Sequence, residues 1–406
     1  MTFAARSCGE PVGRDSSSTG FDVSGALSAA LALACKTVDR AEAIILAGSH
    51  SSGEGVWASI AGRTVSLSDL DVYVVLADAG AVRVASARAK TERDHLREPL
   101  SSLGFVAPLE MGFLSRAGLA LMPAKPGVIE LRRHGRVVEG DPAVLALVPA
   151  WSARDVSAEE RTLLLENRGL ELLLAAPDAA RDDLARLLAR HATLKTALDL
   201  AGILALAAGE WPDGAAARVQ WARRAGLDGF RSSSPSGLDD APELLDSLWT
   251  TALGFRAAPL GLAEAVTALE WRQVVRAWCA VWSAGLTTRA HDPWTAILTR
   301  AARAPWRRRI RQALQFQARV GPGPDRRSRV RHLAAGTPAH RVHGSAAVLL
   351  HTAALSNHAP VLPAGALRAL AALGVTRAVE WGRARTEVVR AWDTWLQSGQ
   401  RTADPV

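Results

Sequence analysis

Residues Ile44 to Ala77 read IILAGSHSSGEGVWASIAGRTVSLSDLDVYVVLA, and the rest of the chain is read outward from them. An apolar run, Ala43 to Ala47, stops at Gly48-Ser49; a loop rich in Gly and Ser follows; a second apolar run, Val72 to Ala77, is led in by Ser68-Asp69-Leu70-Asp71. Short apolar runs bounded by such breakers predict buried strands. Side chains alternate along a strand, so Asp69 and Asp71 project from the same side. Two carboxylates at the mouth of a buried strand repel each other and lose hydration unless a cation lies between them. Magnesium suits that place, because it takes hard oxygen ligands and is commonly held by one or two carboxylates together with substrate phosphates. Gly48-Ser49 supplies the complement: glycine lets backbone N–H groups come close to a phosphate, and the serine hydroxyl can donate to it.

Taken together, Gly48-Ser49, Gly53-Glu54-Gly55 and Ser68-Asp69-Leu70-Asp71 ahead of a valine-rich strand resemble the signature of the nucleotidyltransferase superfamily that shares its palm domain with DNA polymerase beta. The kanamycin nucleotidyltransferase-like branch is the most similar. The gap between Gly-Ser and the Asp pair is longer than in compact members, and the Gly-Glu-Gly insert resembles one subgroup. Taken alone, Glu54 reads as a charge on a mobile loop. The resemblance implies an α+β catalytic domain with a mixed sheet, followed by an all-helical domain. It also implies transfer of a nucleoside monophosphate from a nucleoside triphosphate to a hydroxyl, with magnesium, two ions by analogy, as cofactor.

A third acid is expected on a neighbouring strand. In Gly127 to Arg133 (GVIELRR), a strand over Val128 to Arg132 would place Glu130 between Ile129 and Leu131, where a carboxylate needs a partner. By the resemblance Glu130 completes the metal site with Asp69 and Asp71 or acts as base on the acceptor hydroxyl; as a plain strand charge it would face solvent and pair with Arg132 or Arg133. Gly48, Ser49 and Ser68 are the expected nucleotide contacts, with Lys195, in the helical Lys195-Thr196-Ala197-Leu198-Asp199-Leu200, as a fourth that reaches back to the triphosphate. The plainer role for Lys195 is a flexible stem lying along a helix flank.

At 406 residues the chain has room for two or three domains. The expected division is a tail over 1–20, a catalytic domain over 21–150 and a helical domain over 151–406, with a sub-boundary near 231–243. Helices are expected from Ser24 to about Ala41 and over 86–103, and one strand near Phe105. From about Ser157 the apolar spacing becomes helical, and the recurring Trp249, Trp271, Trp278, Trp282, Trp294 and Trp306 read as helix-packing core. Eleven arginines against the single acid Asp325 between residues 300 and 331 form either a solvated face or a phosphate-contacting surface. The formal net charge of +8 permits a nucleotide or nucleic-acid partner without requiring one. Cys8, Cys35 and Cys279 lie far apart, with neither disulfide-framework nor zinc spacing. With no signal-peptide pattern and no bilayer-length apolar run, the expectation is a cytoplasmic enzyme without a membrane partner. The expected acceptor is a small hydroxylated molecule such as a sugar or aminoglycoside. RNA or protein acceptors, and a non-catalytic nucleotide sensor, are the alternatives.

Overall fold

The structure is a computed structural model and describes residues 22–36, 41–179, 182–225, 241–258, 268–286, 293–302, 310, 338–355, 361–375 and 379–399. It is α+β, with a mixed α/β region first and a long run of helices after it.

The apolar runs of the opening stretch become β1 (Ala43–Ala47) and β4 (Leu70–Leu76), the inner strands of a four-stranded sheet ordered β5-β4-β1-β6. β1 pairs antiparallel with β4 and with β6 (Arg136–Gly140), whereas β5 (Leu109–Ser115) runs parallel to β4. Parallel neighbours require a long crossover, supplied by helix α3 (Ala79–Ser102), whose first turn is capped by the Asp78 carboxylate accepting from the Ala81 N–H at 2.8 Å. Period-two alternation sorts the strands onto two faces. Ile44, Leu46, Leu70, Val72 and Val74 pack with α1 (Val23–Lys36) and α3, while Ala43, Ile45, Ala47 and Val75 pack with α4 (Arg116–Ala120) and α5 (Pro126–His134).

Four expectations are corrected here. Residues 128–132 are not a strand: Pro126 opens helix α5, whose buried side is Val128, Ile129 and Leu131, so Glu130 stands on a helix. The strand expected near Phe105 lies four residues later; Phe105 makes only an isolated bridge to Ser66. The helix over 86–103 starts earlier, at Ala79, and runs through Pro99. Part of the loop after Gly48-Ser49 is an antiparallel hairpin, β2 (Trp57–Ile60) with β3 (Arg63–Ser66). Near the N-terminus, Asp22 caps α1, accepting from the Gly25 N–H at 2.9 Å.

The helical region opens with α6 (Ala158–Leu174), capped by Ser157, and α7 (Asp183–Ala207), capped by Asp182. Just past the end of α7, Gly209 takes φ +78°, a conformation glycine adopts without a steric penalty. Helix α8 (Gly214–Ala225) follows, then helices over Ala241–Ala257, Ala268–Leu286, Pro293–Ala302, Pro338–Leu355, Ala364–Leu373 and Trp381–Gly399. Trp249, Trp271, Trp278 and Trp282 are buried as expected. The first three donate their indole N–H to the carbonyls of Ala197, Leu172 and Leu165 at 2.8–2.9 Å. Among the described residues no helix is long and apolar enough to cross a membrane. The tail, Cys8, Trp306 and all of the arginine tract except Arg300 to Ala302 and Ile310 lie outside the described residues.

One hydrophobic core spans the two regions, alongside those on the two faces of the sheet. Val56, Ala58, Val65 and Leu67, from the hairpin and its flanks, pack with Leu165, Leu194, Leu198 and Trp249 of the helices.

Candidate active site

Strand register assembles the motif. Ala47, the last residue of β1, pairs with Asp71 of β4, so Gly48 lies beside the Asp71 carboxylate. Gly48 has φ +66°, and a Cβ there would fall on Asp71 Oδ2. Gly48 is therefore required twice, by its backbone conformation and by the close approach of the carboxylate. The following turn, α2 (Gly48–Ser51), carries the half-buried Ser49.

His50, the next residue, joins the two halves of the motif, a role that its lone position in the sequence did not signal. Its Nε2 lies 3.0 Å from Ser66 Oγ and 3.4 Å from the Ser68 carbonyl. The Ser66 hydroxyl already donates to Ser68 O at 3.0 Å, which makes the imidazole the donor at Nε2. Burial pushes the His50 pKa down, so the ring is neutral, and it packs edge-on against Trp57 and Phe105. A side chain at Gly55 would come within 2.6 Å of His50 Nδ1. Ser68, expected at the nucleotide, is buried, and its Oγ accepts the Val56 N–H at 3.0 Å, tying the insert to the base of β4.

Glu130 does not take the expected third place. It pairs with Arg218 of α8, whose guanidinium also lies 3.9 Å from the centre of the Trp211 ring and donates from Nε to the Pro212 carbonyl at 3.1 Å. The same join carries Arg133 donating to Trp211 O at 2.9 Å and His134 against Asp213 at 2.6 Å. Glu130 thus fastens α5 to the helical region. On the strand next to Asp71, and in parallel register with it, stands Glu110. Its signal was present in the sequence: in Leu109-Glu110-Met111-Gly112-Phe113 the apolar residues alternate with Glu and Gly, and Leu109, Met111 and Phe113 all pack on the α1 and α3 side.

Lys195 does reach the motif. From α7 its Nζ lies 3.5 Å from Asp69 Oδ2, with side-chain exposures of 34% and 38%, so solvent screens the pair and its own contribution to stability is at most about 1 kcal/mol. Behind it, Arg168 of α6 is held by Asp199 at 2.7 Å and by Glu171. Burial and Arg168 push the lysine pKa down, but Glu171, Asp69 and Asp199 outweigh them, and it ends above its ordinary value. One turn earlier on α7, His191 is lowered to about 3 by burial and by Lys195 and Arg256.

Glu54 is not a charge on a mobile loop. Its Oε1 accepts the Ala215 N–H at 2.9 Å, in the first turn of α8, and Arg256 donates to its backbone carbonyl at 2.6 Å. Arg63 donates to Ser101 O at 3.2 Å, and Arg116 to Asp141 at 3.3 Å.

The donor chemistry suits magnesium: carboxylate side chains on adjacent strands, beside a glycine whose missing side chain makes room for the Asp71 carboxylate. Among the described residues, however, no three His, Cys, Asp or Glu side chains are gathered in metal-holding geometry. Comparison with protein-family models, with curated proteins and with solved structures finds no match to the chain.

Proposed function

We propose that the chain is a magnesium-dependent nucleotidyltransferase of the polymerase beta-like superfamily, moving a nucleoside monophosphate from a nucleoside triphosphate to a hydroxyl of a small molecule and releasing pyrophosphate. The observation that carries this reading is the register that sets Gly48 and Glu110 on either side of Asp71. Asp69, Asp71 and Glu110, with Glu110 in place of Glu130, would hold the metal. The bound ion would neutralise phosphate charge and stabilise the entering and leaving oxygens. The chain's own groups do the positioning: the backbone after Gly48 and the Ser49 hydroxyl hold the phosphates, Lys195 neutralises the triphosphate, and His50 keeps the Gly-Ser turn in place relative to Asp69. Ser68 acts through the insert rather than on the nucleotide. Such an enzyme would work in the cytoplasm, where triphosphates are available.

That no three metal-holding side chains are gathered among the described residues leaves one second reading, a non-catalytic nucleotide sensor. Purified protein incubated with labelled triphosphates, Mg²⁺ and pools of sugars, aminoglycosides or RNA separates the two. Label transfer to a small molecule that disappears in Asp71→Ala supports the enzyme; transfer to RNA moves the acceptor class. Nucleotide binding with no transfer to any pool leaves the sensor.

A further inference from the structure

We infer that Lys195 is an internal counter-ion that competes for Asp69 when no triphosphate is bound, so that the divalent metal binds more tightly together with the triphosphate than alone. The inference rests on the nucleotidyltransferase reading of the site. Two carboxylates at the start of β4 need a positive charge nearby, and the structure supplies one from another part of the chain: Nζ of Lys195 at 3.5 Å from Asp69 Oδ2. The chain has only four lysines, and arginine serves at its other ion pairs with few exceptions. A compact ammonium on a flexible stem can change partners where a forked guanidinium would be held in place. Lys195 is also aimed from behind. Asp199, one helical turn further along α7, is taken by Arg168, which Glu171 grips as well. This leaves the lysine to face Asp69 across the join.

The pair is one-third exposed on each side and weak enough to give way. A triphosphate carries several negative charges, and on entering it would draw the ammonium off Asp69. The freed carboxylate then becomes available to the metal that accompanies the nucleotide. Thermodynamic linkage requires the converse: whatever removes Lys195 from Asp69 must tighten metal binding in the absence of nucleotide.

The test is Mn²⁺ binding followed by electron paramagnetic resonance, with and without a non-hydrolysable triphosphate analogue, in the wild type, Lys195→Met and Lys195→Arg, each first shown to melt as the wild type does. Without analogue, Lys195→Met is expected to bind Mn²⁺ roughly fivefold tighter than the wild type or more, while Lys195→Arg stays at or below the wild-type affinity. With analogue the order reverses, and the wild type binds the Mn²⁺–analogue pair more tightly than Lys195→Met. Equal Mn²⁺ affinity of wild type and Lys195→Met without analogue overturns the counter-ion role while leaving the metal site standing. No Mn²⁺ binding by any of the three under either condition overturns the metal site and the counter-ion role with it.

Discussion

Gly48 is the residue on which the proposed chemistry turns, because its neighbour across the strands is a carboxylate. Gly48→Ala places a Cβ on Asp71 Oδ2 and holds an L residue at φ +66°. The backbone alone costs about 1–2 kcal/mol, and Asp71 must move. The expected outcome is a folded protein with a lowered urea midpoint and no detectable nucleotide transfer. Asp69→Ala and Asp71→Ala are expected to abolish transfer with far-ultraviolet circular dichroism unchanged; wild-type turnover in either would remove the carboxylates from the mechanism. At this scale the sequence was most informative where chemistry demanded unusual neighbours. Two acids at a strand mouth called for a positive charge nearby, and Asp69 has one in Lys195. His50 could not be read, because a lone histidine says nothing until its partners Ser66 and Ser68, sixteen and eighteen residues away, are brought to it.

At the scale of elements, two contacts invert what local propensity suggests. Gly169 lies within α6 and is buried, and alanine there would improve helix propensity by about 1 kcal/mol. A Cβ at Gly169 would nevertheless come within 2.5 Å of Trp278 Cζ2, in a ring whose N–H is fixed to Leu165 O. Overpacking costs about 1–3 kcal/mol, so Gly169→Ala is expected to lower the melting temperature, and a rise would show that the tryptophan yields. Glu54 caps α8 from outside the helix. Glu54→Ala is expected to cost about 1–2 kcal/mol in denaturant titration, and Glu54→Gln, which keeps the acceptor, less. Elements were legible where period and punctuation agreed, as in β1, β4, α6 and α7. They were not where a short apolar run fits both periods. Val-Ile-Glu-Leu reads as a strand, and only Pro126 just ahead of it marks a helix start. The hairpin was hidden for a related reason: its apolar side, with Ala58 and Val65, is small and packs on helices a hundred residues further along the chain.

For the molecule as a whole, buried imidazoles couple stability to pH. His351 is enclosed by the rings of Trp278, Trp282 and Trp294, and burial lowers its pKa to about 4. A group whose folded pKa lies below its unfolded value of about 6.5 favours the native state in its neutral form. Its stabilisation is therefore complete above the unfolded value and is lost as pH falls from there through about 4. The melting temperature should fall between pH 7 and pH 4, and His351→Leu should flatten part of that slope; an identical slope in the variant would place the pH dependence elsewhere. His343, lowered by burial beside Glu166 and Arg300, is expected to add to it. The division into a mixed region and a helical one was legible from the change of period, but the fastening between them was not, since Glu54, Glu130 and Arg218 are ordinary surface residue types until their partners are known. That fastening has a consequence during synthesis. The hairpin's inward side chains share a core with Leu165, Leu194 and Trp249, so while a ribosome is still making those helices, the emerging chain carries greasy surface with nothing to cover it. At ordinary elongation rates the delay is on the order of ten seconds, long enough for chaperone capture to govern how much protein is obtained.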